Sequence, residues 1–211
     1  NTTDLATRYL ISANSSDNDV IKAKSFAMLG EIELNKGNFK AAKNYFDIVI
    51  ENKGAEKSVH SRALLGLGIC LYHLNDNKTA LKYLNDLENS DPGIETQKLN
   101  FFLAENYFAT GDYKNALNNY NNSIGTDQEI NSQALYGKAY SYFNTGDYEN
   151  SAVQFASDIK ENPKNKRLSD AKLRLADSYF GSKNYSAASK VYQELFSADA
   201  KLSTDPYARY Q

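Results

Sequence analysis

The 211-residue sequence is poor in several residue types, and each shortage excludes a class of protein. A single Cys excludes an intramolecular disulfide framework and a cysteine-based metal cluster. Three Pro residues favour long helices over loop-rich or sandwich folds, because proline breaks helices. The 24 Lys and Arg residues are balanced by 26 Asp and Glu residues. This balance predicts no nucleic-acid partner, since phosphate binding needs an excess of clustered cations.

Long apolar runs are also missing. The longest apolar stretch, from Ala63 to Leu74, contains two glycines and a histidine and is too short to span a bilayer. We therefore expect no direct membrane insertion of this segment.

The sequence begins at Asn1 without a basic and apolar leader, so we expect a processed or excised piece of a longer chain.

The sequence contains an internal repeat. A turn residue, then Asp or Asn, usually an aromatic residue, and then Ala or Ser recur five times. The turn residues lie about 36 residues apart, at Gly37, Asn75, Gly111, Gly146 and Lys183. Five copies at so regular a spacing indicate one structural unit that is repeated in tandem.

Other positions align in columns when this turn is numbered as repeat position 15. Positions 8 and 20 carry Gly, Ala or Ser, and position 24 carries large residues such as Phe46 and Tyr120. Small residues let two antiparallel helices approach closely, while the large residues fill the space beside the crossing. The residue types at the turn predict a residue in the left-handed conformation, followed by an Asp or Asn that caps the N-terminus of the second helix. Pro92 and Pro163 both fall at position 32, where one helix must end before the next begins.

These columns resemble the tetratricopeptide repeat (TPR) family over roughly residues 23–205. The resemblance implies one all-α domain, a right-handed α-α superhelix of about five helical hairpins. The predicted repeats are 23–60, 61–96, 97–131, 132–168 and 169–205. We expect residues 1–22 to include the second helix of a preceding hairpin and residues 206–211 to start a truncated sixth repeat. The long period resembles divergent TPRs of bacterial cell-envelope proteins, which implies a periplasmic or envelope location.

Four residues depart from the family pattern. They are Lys138 at the apolar position 7, Glu33 and Asn77 at the aromatic positions 11 and 17, and Asp158 at the small position 27. We expect the turn of the second hairpin and the packing of the fourth repeat to be the least regular.

Catalytic, metal and cofactor sites are not predicted. His60 and His73 have no i, i+4 spacing and no third ligand nearby. Cys70 lies in an apolar helical run, which favours a buried structural thiol over a nucleophile. The Gly66-Leu67-Gly68 segment follows no strand, so close helix packing explains it better than a phosphate loop.

The TPR resemblance places first-helix positions 2, 5, 9 and 12 on a concave inner wall. Three cations at position 2 form a predicted row, and aromatic and acidic residues follow at the other positions. The candidate binding residues are Lys24, Arg62, Lys98, Phe101, Glu105, Phe108, Tyr136, Tyr140 and Asp177. Whether the position-12 aromatics line the groove or pack between hairpins stays open at this point. The carboxylate clamp of chaperone-binding TPRs is not matched by any three consecutive repeats.

The sequence favours a non-enzymatic scaffold whose concave face binds a peptide or a partner protein. Two alternatives remain open. One is a carbohydrate- or cell-wall-associated envelope protein, because aromatic and Asn side chains also bind sugars. The other is a recruitment module of a larger enzyme whose catalytic domain lies elsewhere.

Overall fold

The computed structural model describes residues 7–8, 10–11, 18–164 and 166–198, and the regular secondary structure in these ranges is entirely helical. Ten helices lie between residues 19 and 198 of the described part. They are α1 (Asp19–Asn35), α2 (Phe39–Glu51), α3 (Lys57–His73), α4 (Asn77–Ser90), α5 (Thr96–Ala109), α6 (Tyr113–Asn122), α7 (Gln128–Asn144), α8 (Tyr148–Glu161), α9 (Leu168–Gly181) and α10 (Tyr185–Ala198). The prediction of an all-α fold built from helical hairpins is confirmed.

The chain forms two compact units, residues 1–110 and residues 111–211. In unit 1, each of the helices α1 to α5 packs on the next, and the first helices also pack on one another, α1 on α3 and α3 on α5. In unit 2, the helices α6 to α10 likewise pack in chain order. The single domain inferred from the sequence and its repeat boundaries stay predictions. The helices are offset from that repeat frame, since α3 begins at Lys57 and the second predicted repeat at Ser61.

The hairpin turns have the predicted left-handed residue. Gly37 and Gly146 have φ values of 78° and 77°. The Gly146 N–H donates to the Phe143 carbonyl (3.0 Å), and the Asp147 N–H donates to the Tyr142 carbonyl (3.0 Å). These paired bonds satisfy carbonyls that the end of the helix leaves without partners. The turn therefore closes each helix in a fixed direction.

Two turns reach the same conformation without glycine. Asn75 and Lys183 have φ values of 62° and 63° and make the same pair of backbone hydrogen bonds. Contrary to our expectation, the turn of the second hairpin is as regular as the others. Asparagine tolerates the left-handed region, whereas lysine adopts it at a cost in free energy.

The predicted N-caps form in four of the five turns that the structure describes. The side chains of Asp76, Asp112, Asp147 and Asn184 accept hydrogen bonds from backbone N–H groups in the first turn of the following helix. Asn38 does not cap α2 with its side chain, and its amide nitrogen donates to Glu33 Oε2 at 2.7 Å. Glu33 also binds Lys36, and these two hydrogen bonds lower the pKa of its carboxyl group.

The small and large columns pack as predicted. A Cβ atom added at Gly68 (position 8) would overlap Leu84 at position 24 of the same repeat, and one added at Gly66 (position 6) would overlap the Phe46 ring of the preceding repeat. Phe46 and Leu84 have no exposed surface. The two glycines therefore permit close helix packing, which confirms that interpretation of the Gly66-Leu67-Gly68 segment.

The junctions and ends complete the fold. Pro92 lies between α4 and α5, and Pro163 lies between α8 and α9, where helix ends were predicted. Of the predicted N-terminal helix, only residues 7–8 and 10–11 are described, and they are helical. The predicted start of a sixth repeat at residues 206–211 lies outside the described residues.

Candidate functional site

The first helices of unit 1 surround a pocket of about 240 Å³. Its apolar lining comes from Leu34, Leu65 and Ile69, which occupy repeat positions 12, 5 and 9, and from Phe46 of α2. Leu34 is half-buried, and the other three are at most 4% exposed. Charged residues of α1, α3 and the start of α5 complete it, namely Glu31, Arg62, Glu95 and Lys98. We call this the unit 1 pocket. It gathers the position types that the TPR resemblance assigns to the inner wall.

The three cations predicted to form a row are each paired with a carboxylate. Lys24 Nζ lies 2.7 Å from Glu56 Oε1, and Lys98 Nζ lies 3.7 Å from Glu95 Oε2. The Arg62 guanidinium lies 2.6 Å from the nearest oxygen of Glu31. Each cation of the predicted row thus has an acidic neighbour within the protein, and its contact with carboxylates of a partner stays a prediction. All three pairs remain partly exposed, and exposed pairs contribute about 0–1 kcal/mol each.

A polar contact between Tyr72 and Glu105 joins α3 to α5. The Tyr72 hydroxyl donates to Glu105 Oε2 at 2.5 Å, and the Tyr72 ring packs edge-on against Phe102. Burial and the nearby Glu105 charge raise the pKa of Tyr72, so the phenol stays a hydrogen-bond donor. Glu105 thus lies on the predicted face, and Tyr72 fixes its side chain.

Phe101 does not offer its ring to a ligand. Its side chain is only 5% exposed, and the ring contacts Phe102 at a centroid distance of 5.2 Å. Its inclusion among the binding residues is wrong, because position 5 of this helix packs into the interior. Phe108 is half-buried at the last turn of α5.

In unit 2, the predicted aromatic residues belong to a hydrogen-bonded network between α7 and α9. The hydroxyls of Tyr136 and Tyr140 both donate to Asp170 Oδ2, the latter at 2.6 Å. Burial and the Asp170 hydrogen bonds raise the pKa of both phenols, so both remain donors. The guanidinium of Arg167 lies 4.2 Å above the Tyr136 ring. Both tyrosines are half-buried, so part of each side chain is exposed.

Asp177 is buried, contrary to its predicted place on the binding wall. Its side chain accepts from Arg174 Nη1 at 2.6 Å and from the Tyr192 hydroxyl at 2.5 Å. The residue is 6% exposed. Because both carboxylate oxygens have internal donors, Asp177 joins α9 to α10 and is not available to a partner.

The position-12 residues are divided between core and surface. Leu34 packs against the buried cores of unit 1, while Phe180 is 40% exposed. Tyr72, Phe108 and Phe143 are half-buried. Position 12 therefore contributes to packing and still presents some apolar surface.

Sequence reasoning missed the partners of the charged residues. Glu31 at position 9 pairs with Arg62 at position 2 of the next repeat, and Tyr140 at position 9 binds Asp170 at position 2 of the next. Both links join first helices about one repeat apart in the sequence. A search for complementary side chains between positions 9 and 2 of successive repeats would have found both pairs.

The described residues carry little chemistry of other kinds. They contain no group of three or more His, Cys, Asp or Glu side chains that could hold a metal ion. Burial raises the pKa of the Cys70 thiol to about 12, as expected for a structural cysteine. The His73 ring stacks on Phe39 at a centroid distance of 4.0 Å. No helix in the described ranges combines the length and apolar character needed to cross a bilayer.

The fold and its repeated turns define a protein made of tandem helical hairpins. A model of the tetratricopeptide repeat family matches residues 27–93 and 103–166. Because these ranges span more than half of the sequence, the chain belongs to the tetratricopeptide repeat family. A comparison with curated proteins finds no match.

Solved structures of low sequence identity share the fold. YrrB, described as a TPR protein with an unusual peptide-binding site, is 16% identical, with a TM-score of 0.78 over 96% of this chain and 98% of its own. MamA from Desulfovibrio magneticus RS-1 is 14% identical, with a TM-score of 0.68 over 90% of this chain and 98% of its own. Another MamA structure is 16% identical, with a TM-score of 0.69 over 87% of this chain and 95% of its own.

Proposed function

We propose that this chain is a non-enzymatic scaffold that binds a partner protein through a peptide segment, anchored in the unit 1 pocket. The observation that carries the proposal is the pocket itself, with apolar side chains beside two ion pairs. Membership of the TPR family and the peptide-binding site named for YrrB agree with this function.

The size of the pocket favours a peptide over a cofactor. Its volume of about 240 Å³ is below the range of roughly 300–1,000 Å³ for small-molecule sites. Leu34 is half-buried and keeps apolar surface that an aliphatic side chain would remove from water, while Leu65 and Ile69, 3% and 4% exposed, form the floor beneath it. We expect one aliphatic residue of the partner to insert there.

The ion pairs give the pocket its specificity. Arg62 and Lys98 are partly exposed and bound to single carboxylates, so each can exchange Glu31 or Glu95 for a carboxylate of the peptide at small cost. An aliphatic residue flanked by acidic residues is the expected ligand. Lys24, Glu105, Phe108, Tyr136 and Tyr140 stay candidate contacts outside the pocket, whereas Phe101 and Asp177 are excluded by burial.

The experiment is selection of a random peptide library displayed on phage against the wild-type chain, followed by calorimetric titration of the enriched peptides. The test variant is Arg62→Glu/Lys98→Glu, which reverses two partly exposed charges at the pocket. The control is Lys40→Glu/Lys53→Glu, which makes the same charge change at two exposed lysines of unit 1.

We expect the affinity of the enriched peptides to fall about tenfold or more in the test variant and by less than about twofold in the control. Equal affinity for wild type and test variant would refute the assignment of the pocket. Failure to enrich any peptide, together with binding to purified glycans, would favour the carbohydrate alternative.

A further inference from the structure

The junction between α8 and α9 in unit 2 has a local excess of positive charge. Residues 160–167 contain three lysines and one arginine but a single acidic residue, in a chain with a net charge of −2. The side chains of Lys160, Lys164 and Lys166 are exposed. We call these three residues the lysine loop.

The lysine loop is not neutralised within the described residues. None of its three ammonium groups lies within 4.0 Å of a carboxylate there, unlike Lys24, Arg62 and Lys98 in unit 1. The neighbouring Glu161 accepts a hydrogen bond from the Ser157 hydroxyl at 2.8 Å. The loop therefore presents several like charges to solvent, and an anionic partner would relieve their mutual repulsion.

Nearby carboxylates are already occupied by internal donors. Asp158 is buried and accepts from the Asn162 amide at 2.9 Å. Asp170 accepts from the hydroxyls of Tyr136 and Tyr140. Both carboxylates are thus held by donors within unit 2, and neither pairs with the lysine loop.

Arg167 attaches the loop to the first helix of the preceding hairpin. Its guanidinium lies 4.2 Å above the Tyr136 ring, and Nη2 lies 3.4 Å from both the carbonyl and the hydroxyl oxygen of Ser132 on α7. This attachment limits the freedom of the loop before a ligand arrives, which lowers the entropy cost of binding. It also sets the lysine loop next to the Tyr136–Asp170 network.

We propose that the lysine loop binds an acidic segment of a partner protein, one rich in Asp and Glu. Three lysines act as dispersed point charges that suit the scattered carboxylates of a peptide. The one guanidinium that could bind a phosphate in bidentate fashion is engaged with Tyr136 and Ser132. This second surface does not depend on the unit 1 pocket.

The test measures the fluorescence anisotropy of a labelled peptide of about twelve alternating Glu and Ser residues. Wild type is compared with Lys160→Gln/Lys164→Gln/Lys166→Gln. The matched control is Lys40→Gln/Lys53→Gln/Lys78→Gln, which removes the same charge from three exposed lysines of unit 1. Far-UV circular dichroism checks that both variants are folded, as expected for exposed side chains.

We expect the lysine-loop variant to bind the peptide about tenfold more weakly than wild type, and the control to change by less than about twofold. The affinity of wild type should fall as the salt concentration rises from about 50 to about 300 mM, and that of the lysine-loop variant should fall much less. The variants differ from those that probe the unit 1 pocket, so either proposal can fail alone.

Three outcomes would overturn the proposal. The first is the absence of measurable peptide binding by wild type at low salt. The second is an equal loss of affinity in both triple variants, which would indicate net charge without a local site. The third is tighter binding of a single-stranded oligonucleotide or of phosphatidylserine vesicles than of the acidic peptide, with the same dependence on the lysine loop.

Discussion

Replacing Lys138 by leucine should stabilise the protein. Position 7 of the other four repeats is leucine, and these residues are at most 8% exposed: Leu29, Leu67, Leu103 and Leu175. Lys138 is half-buried and forms no hydrogen bond or ion pair with the described residues. Burial lowers the pKa of its ammonium group, because the charged form loses water.

The expected gain follows from this column of leucines. Burial of a leucine side chain adds about 1.5–3 kcal/mol to the free energy of unfolding, and the methylene groups of Lys138 already supply part of this amount. We therefore expect Lys138→Leu to raise the free energy of unfolding by about 1–2 kcal/mol. For a chain of this size, that corresponds to a rise in Tm of about 2–8 °C.

The gain should also depend on pH. Because the pKa of Lys138 is lower in the folded state, the folded chain binds fewer protons than the unfolded chain. Burial of Lys138 therefore lowers the free energy of unfolding most at a pH where its ammonium group is charged. The wild type therefore recovers stability as the pH rises towards the ordinary lysine pKa of about 10.4. The advantage of Lys138→Leu should shrink over the same pH range.

Urea unfolding followed by circular dichroism at about pH 7 and about pH 10 provides the measurement. Lys138→Met removes the charge but keeps an unbranched chain, so it separates charge from packing. Lys114→Leu, at an exposed position of α6, is the matched control and should change stability by less than about 0.5 kcal/mol. A neutral or destabilising effect of Lys138→Leu at pH 7 would refute the reasoning.

Three further predictions concern single residues. Lys183→Gly should raise the free energy of unfolding by about 0.5–1 kcal/mol, because Lys183 has a φ of 63°, a left-handed conformation that glycine adopts more easily. Chemical denaturation should show a smaller gain for Asn75→Gly, since asparagine tolerates this conformation. An equal gain would contradict the argument. Asp158→Asn should raise Tm at pH 7, because burial raises the pKa of Asp158 and its charged form is disfavoured. The wild type loses stability as the pH rises through that pKa, so the advantage should vanish below about pH 3.9, and an advantage independent of pH would exclude this cause. Tyr192→Phe should cost about 1–3 kcal/mol, since it removes a donor to the buried Asp177, whereas Tyr185→Phe at an exposed site should cost almost nothing in the same unfolding assay.

Features that depend on short stretches of chain could be read from the sequence. The left-handed turn at Gly146 and the cap at Asp147 need only a residue type at a fixed place, since the bonds they make span a few residues. The contact of Gly68 at position 8 with Leu84 at position 24 of the same hairpin follows from side-chain volume at fixed helical spacing. These local rules, repeated five times, were enough to predict the hairpin architecture.

The sequence did not determine which side chains are available for binding, and only the tertiary structure decided this. Phe101 and Asp177 occupy positions that the repeat pattern assigns to the inner wall, yet both are buried. Arg62 was predicted as one of a row of cations, and the structure pairs it with Glu31, about one repeat earlier in the sequence. Burial and pairing depend on which side chains neighbouring first helices bring within a few ångströms. That distance is set by the packing of whole helices, which no single repeat encodes.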